Sequence, residues 1–290
     1  MTDSRHLRES PPRHLNFLTK MTVLFGGAFQ TMGWFFFFMG SIFTWIFVGA
    51  SEVKYCFDQT DDWLNETGVV LSSEPSNFSE NETRIYRILT TYEVNGETHL
   101  TKNYTTGQRY SGGEKVRVRY DGLHPENAFV NGTKRAPFNS WVAFVLVFPI
   151  IGLTFILFSL RKNLRSLKLL VNGTFTRGLL VSKTATSTRV NDRTVYQYEF
   201  SFHVGGTEHI ATCKTHLAET VEDEEKEIIL YDRFRPEFNV VYDAAPMPAI
   251  TEHGQLAPAS GRQLLRLLLP AITIGVFLYL LIYGFPFSWG

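Results

Sequence analysis

The 290-residue sequence is short of cysteine, of net charge and of recognisable catalytic motifs. Two cysteines, Cys56 and Cys213, are too few for a disulfide-stapled mini-domain or a zinc ribbon. Lys and Arg total 28, matched by 28 Asp and Glu, so the formal net charge is zero. That balance excludes nucleic-acid binding through bulk positive charge, and it excludes a disordered polyelectrolyte. The chain has no Gly-x-Ser-x-Gly, P-loop, Gly-x-Gly-x-x-Gly, His-Glu-x-x-His or Cys-x-x-Cys motif. No catalytic, cofactor-binding or metal-binding residue is assigned, and the chain does not read as an enzyme.

Charge is missing altogether from three long stretches. No Asp, Glu, Lys or Arg falls between Lys20 and Glu52, between Arg135 and Arg161, or after Arg266. About 20 apolar residues in a helix cross a bilayer, so these stretches predict transmembrane helices over 21–50, 139–160 and 263–285. The first is too long for the apolar core of a signal peptide. Many of the 25 Phe residues lie in it, four of them in a row at Phe35 to Phe38. Trp45, Trp141, Tyr283 and Trp289 sit near the span ends, as an aromatic belt requires. Gly33 and Gly40 offer a smooth face for helix docking. No Asp, Glu, Lys, Arg or His lies inside the apolar cores Val23–Val48, Trp141–Leu160 and Leu267–Gly284 of these spans, which argues against a transporter acting alone.

The flanks predict the orientation. Arg5, Arg8, Arg13 and Lys20 precede the first span; Arg161, Lys162, Arg165 and Lys168 follow the second; Arg262 and Arg266 precede the third. Lys and Arg collect on the cytoplasmic side. The N-terminus, with a disordered segment over 1–20, is therefore expected inside. Residues 51–138 are expected outside and 161–262 inside, with 244–263 as a Pro- and Ala-rich linker. Lys134 and Arg135 stand on the wrong flank and are outvoted.

The two soluble segments resemble each other. Gly68-Val-Val-Leu-Ser72 parallels Gly178-Leu-Leu-Val-Ser182, and Tyr86, Tyr92 and Gly96 parallel Tyr196, Phe202 and Gly206, all 110 residues on. Tyr120, Asp121 and Pro125 parallel Tyr231, Asp232 and Pro236, now 111 residues on. An ordered set of this kind reads as an internal repeat. Tyr196, Tyr198, Phe200, Phe202 and Val204 alternate with polar residues, the period of a half-buried strand. Asn95-Gly96 and Gly205-Gly206 supply two-residue hairpin turns. About five strands per copy are expected, with short ones near Val69 and Phe129 and near Leu180 and Val240, forming a small antiparallel barrel or curled sheet. The fold class is an α+β membrane protein with three transmembrane helices and one β module on each side.

Gly113-Glu-Lys-Val-Arg-Val-Arg-Tyr-Asp121, followed by Pro125 and Ala128, resembles the bacterial domain-of-unknown-function family 3592. The upstream Gly68 strand and Tyr-rich hairpin share the resemblance. That family usually has Pro after Tyr-Asp, where this chain has Gly122 and, in the second copy, Arg233. The resemblance covers about 65–135 closely and 175–243 more loosely, because the second copy lacks the Gly-Glu pair. It implies a membrane-anchored β module and brings no activity and no site residues.

Three clusters invite chemistry. His203, His209, Cys213 and His216 crowd one stretch, but the Gly205-Gly206 hairpin pairs Phe202 with His209 and His203 with Glu208. The two histidines then face opposite ways, and no shared metal is expected. Glu219 to Glu227 reads as a solvated acidic loop. Repetition of Tyr120, Asp121 and Pro125 as Tyr231, Asp232 and Pro236 reads as a turn, with Asp capping it. Of six Asn-x-Ser/Thr sequons, five fall in the outer segment and the sixth is Asn172. The expected partners are the bilayer and either another membrane protein or a second copy, with no nucleic acid. A binding, scaffold or sensing protein in the bacterial cell membrane is the leading reading. An accessory subunit of a transporter or envelope complex is the alternative. This topology predicts that a membrane-impermeant thiol reagent labels Cys56 in intact cells and spares Cys213; the reverse pattern overturns it.

Overall fold

The computed structural model describes residues 11–56, 62–222, 226–251 and 256–283. Trp289 and the acidic run Asp223 to Glu225 lie outside them. Helix α1 (Phe17–Leu24) precedes α2 (Ala28–Gly49) and a 3-10 turn (Glu52–Tyr55). The first module follows, with β1 (Trp63–Glu80), β2 (Thr83–Val94), β3 (Glu97–Thr106), β4 (Lys115–Asp121) and β5 (Ala128–Val130). A 3-10 segment (Ser140–Leu146) leads into α3 (Val147–Asn172). The second module holds β6 (Thr174–Val190), β7 (Arg193–Val204), β8 (Thr207–Thr215), β9 (Lys226–Asp232) and β10 (Arg235–Val241), and α4 (Gly261–Tyr283) comes last. The protein is thus α+β. Ala28–Gly49, Ser140–Asn172 and Gly261–Tyr283 are long and apolar enough to cross a membrane. The described residues fall into two compact units: Phe37–Ile150 forms one, and 11–36 together with 151–283 form the other.

The first apolar stretch is not one helix from residue 21. It breaks after Leu24, and Gly27 takes a φ of +92°, which a side chain would oppose. A Cβ on Gly26 would sit 2.5 Å from the Thr22 carbonyl and 2.6 Å from Pro246 Cβ. The carbonyls freed by the break are satisfied from α3, where Asn163 Nδ2 donates to Leu24 and Gly26 at 2.8 and 2.9 Å. Buried backbone groups need such partners wherever water is absent.

The expectation of disorder over 1–20 does not hold for its described part. Asn16 caps α1 by accepting from Thr19 N at 2.7 Å. Arg13 is buried and donates through Nη1 to the carbonyls of Leu170 and Gly173 at 3.0 and 2.8 Å. A guanidinium there satisfies the orphan acceptors at the end of α3 and meets the negative end of its dipole. Residues 244–250, expected as linker, begin by packing: Met247 joins Val23, Leu169, Leu170, Leu230 and Tyr242 in one buried cluster. Tyr242 donates its hydroxyl to the Pro248 carbonyl at 2.7 Å.

Each module is a five-stranded antiparallel sheet. The orders are β3-β2-β1-β4-β5 and β8-β7-β6-β9-β10. The pairings coincide on a shift of 110 or 111 residues: Val69↔Thr91 with Leu179↔Ser201, Tyr92↔His99 with Phe202↔His209, and Val118↔Val130 with Ile229↔Val241. Irregularities fall at matching places, Val70/Ser72 and Pro75/Ser79 against Leu180/Ser182 and Ala185/Arg189.

The strands near Val69 and Leu180, expected to be short, are the longest in their sheets at 18 and 17 residues. Their bulges let a long strand bend, and a bent strand lacks steady alternation of apolar and polar residues. Two hairpin turns also escaped the sequence reading, Asn81-Glu82 and Asn191-Asp192, each with both residues at positive φ. The outer strands of each sheet approach one another and are tied by side chains. In the first module Thr101 Oγ1 donates to Ala128 O at 2.6 Å, and Asn103 Oδ1 accepts from Val130 N at 3.2 Å. In the second, Asn239 Nδ2 donates to Ile210 O at 3.1 Å. The first module also rests on the connectors beside it, where Ile85 and Tyr104 pack with Ala50 and Phe138.

Gly68 marks where β1 crosses between β2 and β4. A Cβ there would lie 2.5 Å from Val118 Cγ2 and 2.8 Å from Thr90 Cγ2. Gly68→Ala is expected to destabilise the first module by about 1–3 kcal/mol, the usual cost of overpacking. Chemical denaturation of the purified protein checks this. Val118→Ala added to that variant should recover part of the loss, because it removes the opposing methyl.

Candidate ligand-binding site

A cavity of about 680 Å³ lies in the first unit described above, Phe37–Ile150. Its floor comes from the ends of the helical connectors, Gly49, Ala50, Ala136 and Pro137, and its wall from β3, including Thr101, Lys102 and Tyr104. The volume is in the range of small-molecule sites, and the lining mixes aromatic, amide and basic groups.

Lys54, Tyr55 and Arg135 of the lining begin a column, continuing outside the cavity, in which cations alternate with rings. Lys54 Nζ stands 4.8 Å from the Tyr55 ring centre, and the Arg135 guanidinium lies 3.9 Å from the same ring on its own approach. Arg135 also stands 5.6 Å from the rings of Trp63 and Phe129. Arg119 lies 5.8 and 5.6 Å from those two rings. Trp63 and Phe129 meet edge to face at 5.1 Å. Arg135 is held further: Nη1 donates to Asn127 Oδ1 at 3.0 Å, and its backbone amide donates to Glu52 Oε1 at 3.1 Å. Stacked guanidinium groups keep charge in a desolvated place at low cost. The sequence shows why: Arg119 pairs with Phe129 across β4 and β5, and both project to one face.

Burial, reinforced by the neighbouring cations Arg87 and Lys54, holds Lys102 below the ordinary lysine range. Burial raises the Tyr104 phenol above its usual value. Glu126 is the one acidic side chain among the described lining residues, and it faces His124 at 3.6 Å with both groups largely exposed. Lys134, the neighbour of Arg135, pairs instead with Glu80 at 2.8 Å, which lowers the Glu80 carboxyl.

Among the described residues the second module has no such column at the equivalent positions. Leu230 and Val240 occupy the pairing that Arg119 and Phe129 hold in the first. The interiors differ as well. Thr90↔Thr101 and Ile88↔Asn103 in the first module become Phe200↔Ala211 and Tyr198↔Cys213 in the second. Thr90 and Asn103 are fully buried in a polar interior, and Tyr198 and Phe200 in an apolar one.

The residues singled out from sequence fall elsewhere. Asp121 Oδ1 accepts from the amides of Leu123 and His124 at 2.9 and 3.3 Å, capping the turn after Tyr120. Tyr92 donates its hydroxyl to the Pro125 carbonyl, which fixes the far end of that turn. In the second module Asp232 Oδ1 accepts from Phe234 at 3.0 Å, but the turn is shorter, and Pro236 already lies in β10 after Tyr231. A Cβ on Gly33 would stand 2.9 Å from Ile156 N and 3.0 Å from Gly152 O. One on Gly40 would stand 2.6 Å from Pro149 Cδ. Both glycines therefore face helix atoms of their own chain. His209 lies against Phe202 and His99 against Tyr92, with ring centres 5.7 and 5.6 Å apart. No group of three or more His, Cys, Asp or Glu able to hold a metal occurs among the described residues. Asn103 is the one sequon in the first module whose Asn is buried.

The architecture is that of an α+β chain with three apolar helices of spanning length and two five-stranded modules, one of which holds a cationic, aromatic-lined cavity. Residues 66–135 match the model of a family described as a domain of unknown function (DUF3592), the family whose motifs they resemble. The match spans the whole of β2 to β5 and most of β1, and ends on Arg135. No curated protein and no solved structure matches the chain.

Cys213 bears on how topology is measured. Burial pushes its thiol up to about 11, with Glu227 adding to the rise against Lys162. At pH 8 its thiolate fraction is then about a hundredfold below that of an ordinary cysteine. In detergent, where both modules are accessible, Cys56 is expected to alkylate about a hundredfold faster than Cys213. Peptide mass spectrometry over a time course reads the ratio. Sparing of Cys213 in cells says nothing of sidedness, whereas Ser187→Cys, at an exposed strand position, should react at the ordinary rate and report it.

Proposed function

We propose that the chain is a three-span membrane protein with an internally duplicated β module, the first copy outside the cytoplasm and the second inside. In this reading it is a non-enzymatic binding and sensing protein of the cell membrane that holds its ligand in the first module. The cavity with its cation and ring column carries the reading. It lies in the copy that matches the family model, and among the described residues the second copy has no such column.

The flanking charges support the orientation. The hydrogen bonds of Arg13 tie the N-terminal segment to the far end of α3, consistent with both lying on one side. Lys134 and Arg135, which oppose the charge rule, each serve local structure, one in an ion pair and the other in the ring column. The coincident registers of the two sheets support the duplication. The cavity contains ionisable groups but no paired nucleophile and base among the described residues, which favours binding over chemistry. The alternative, an accessory subunit docked through Gly33 and Gly40, is less favoured, because those glycines already face α3 and its leading turn.

A photoreactive residue placed at Asn77, exposed on the cavity rim, tests the reading in intact membranes, with Ser187 as control. A discrete adduct from position 77 and none from 187 is the expected outcome. Absence of any adduct at 77 would sink the binding reading, and a single protein adduct would favour the subunit reading instead.

A further inference from the structure

The floor of the cavity is made by the residues at which the helical spans begin and end. Gly49 closes α2, and Ala136 and Pro137 stand a few residues before the 3-10 segment at Ser140. If α2 and the segment from Ser140 span the bilayer, the cavity opens at the level of the headgroups. That zone is roughly 5–8 Å thick on each side.

Three cations border this space. Lys54 stands at the Tyr55 end of the column, Arg135 is clamped between Tyr55 and the Trp63–Phe129 pair, and Lys102 projects from β3. Neither Lys54 nor Lys102 has a carboxylate within ion-pair distance among the described residues. Arg87, the next nearest cation, is paired with Glu74 at 2.9 Å. Two ammonium groups, Lys54 and Lys102, close enough for each to feel the other's charge cost free energy, and an anion offsets that cost. Guanidinium and ammonium groups that converge are the usual recognition elements for phosphate, Arg through its planar fork and Lys as a point charge. Tyr55, Phe78 and Tyr104 add apolar surface suited to glycerol or acyl carbons.

We infer that the cavity of the first module binds a phosphate-bearing anion, with Lys54, Lys102 and Arg135 around the phosphate and the aromatic rings against its carbon skeleton. This rests on the reading of the first module as the ligand-holding copy. Two sources supply such a group at a membrane surface: an anionic phospholipid headgroup and a soluble phosphate.

Full-length protein in detergent is titrated with dihexanoyl phosphatidylglycerol, dihexanoyl phosphatidylcholine and inorganic phosphate. Isothermal titration calorimetry gives Kd, and native mass spectrometry gives stoichiometry. The expected result is one phosphatidylglycerol per chain, with Kd raised tenfold or more by Lys102→Glu and by Lys54→Glu. Tighter binding of the lipid than of inorganic phosphate makes the headgroup the source. Phosphate binding equally well makes the source soluble, and both outcomes support the site. Lys54 is exposed and Lys102 half-buried, and unchanged circular dichroism of Lys102→Glu and Lys54→Glu is required to assign the loss to the site; Arg135→Gln, which disturbs the column, serves only as a second comparison. Equal affinity for phosphatidylcholine and phosphatidylglycerol, insensitive to both lysine variants, overturns the inference. Should position 77 still crosslink in that case, the binding reading stands and the anion assignment alone falls.

Discussion

Each module depends on a single strand that must pair on both edges and still bend. β1 pairs with β2 along most of its length and with β4 along its first half, and β6 does the same with β7 and β9. A flat strand of 18 residues would run off a sheet this small. Bulges supply the bend, and glycine supplies room at the crossing. A Cβ on Gly178 would stand 2.3 Å from Ile229 Cδ1, the counterpart of the clash that Gly68 avoids with Val118. Once that strand is curled, β3 comes near β5 and β8 near β10, and the side-chain bonds of Thr101, Asn103 and Asn239 can tie the outer strands. The wall that carries Lys102 and Tyr104 faces the cavity for the same reason.

A common frame then leaves the other positions free to differ. Register fixes which side chains point inward, so a change at one position alters contents without altering topology. The first module places Thr90, Thr101 and Asn103 in its interior, and the second places Phe200, Ala211 and Cys213 at the same positions. Asn103 Oδ1 accepts from Val130 N, while its Nδ2 has no partner among the described residues. An unpaired buried amide is destabilising. The first module's core is thus the more polar of the two, and in the second the stacked Tyr198 and Phe200 rings stand 6.4 Å apart. The first module's fold is supported by the helical connectors as well, through Ala50 and Phe138.

Much of the fold was legible because two strong signals are local. Runs without charge located the three apolar helices, and alternation with Gly-Gly or Asn-Gly located the central hairpins to the residue. The long strands were harder to read. Pro75, Ser76 and Asn77 look like loop residues, yet they lie inside β1, where bulges excuse them from regular pairing. The cavity was illegible for a different reason. Lys54, Lys102 and Arg135 are far apart in sequence, and each looks like an ordinary surface charge. Only the closeness of β3 to the connectors brings them together. A weak signal did exist: Arg119 and Phe129 fall on paired strands, and Lys134 and Arg135 break the charge rule.

That breach of the rule connects membrane insertion to the site. In the proposed orientation Lys134 and Arg135 lie on the outer flank of a span, where basic residues weaken the preference, so their presence calls for a compensating role. Lys134 finds one in Glu80, and Arg135 in Tyr55, Trp63, Phe129 and Asn127. The opposite breach occurs among the polar groups of the helices. Gln30 is fully buried, and with its amide turned it donates to Ser159 and Ile156 and accepts from Trp34, at 3.2–3.3 Å. Asn163 bonds the broken end of α1. These neutral amides join helices where ionised groups would be too costly. Charge is thus excluded from the helix interiors and concentrated where the first module meets the ends of its spans. An anion arriving there from the headgroup layer would meet cations already stripped of part of their water and held in place by rings. Because folding has already placed the cations, binding there would not have to order them, and the remaining costs are the ligand's lost freedom and the desolvation of both partners.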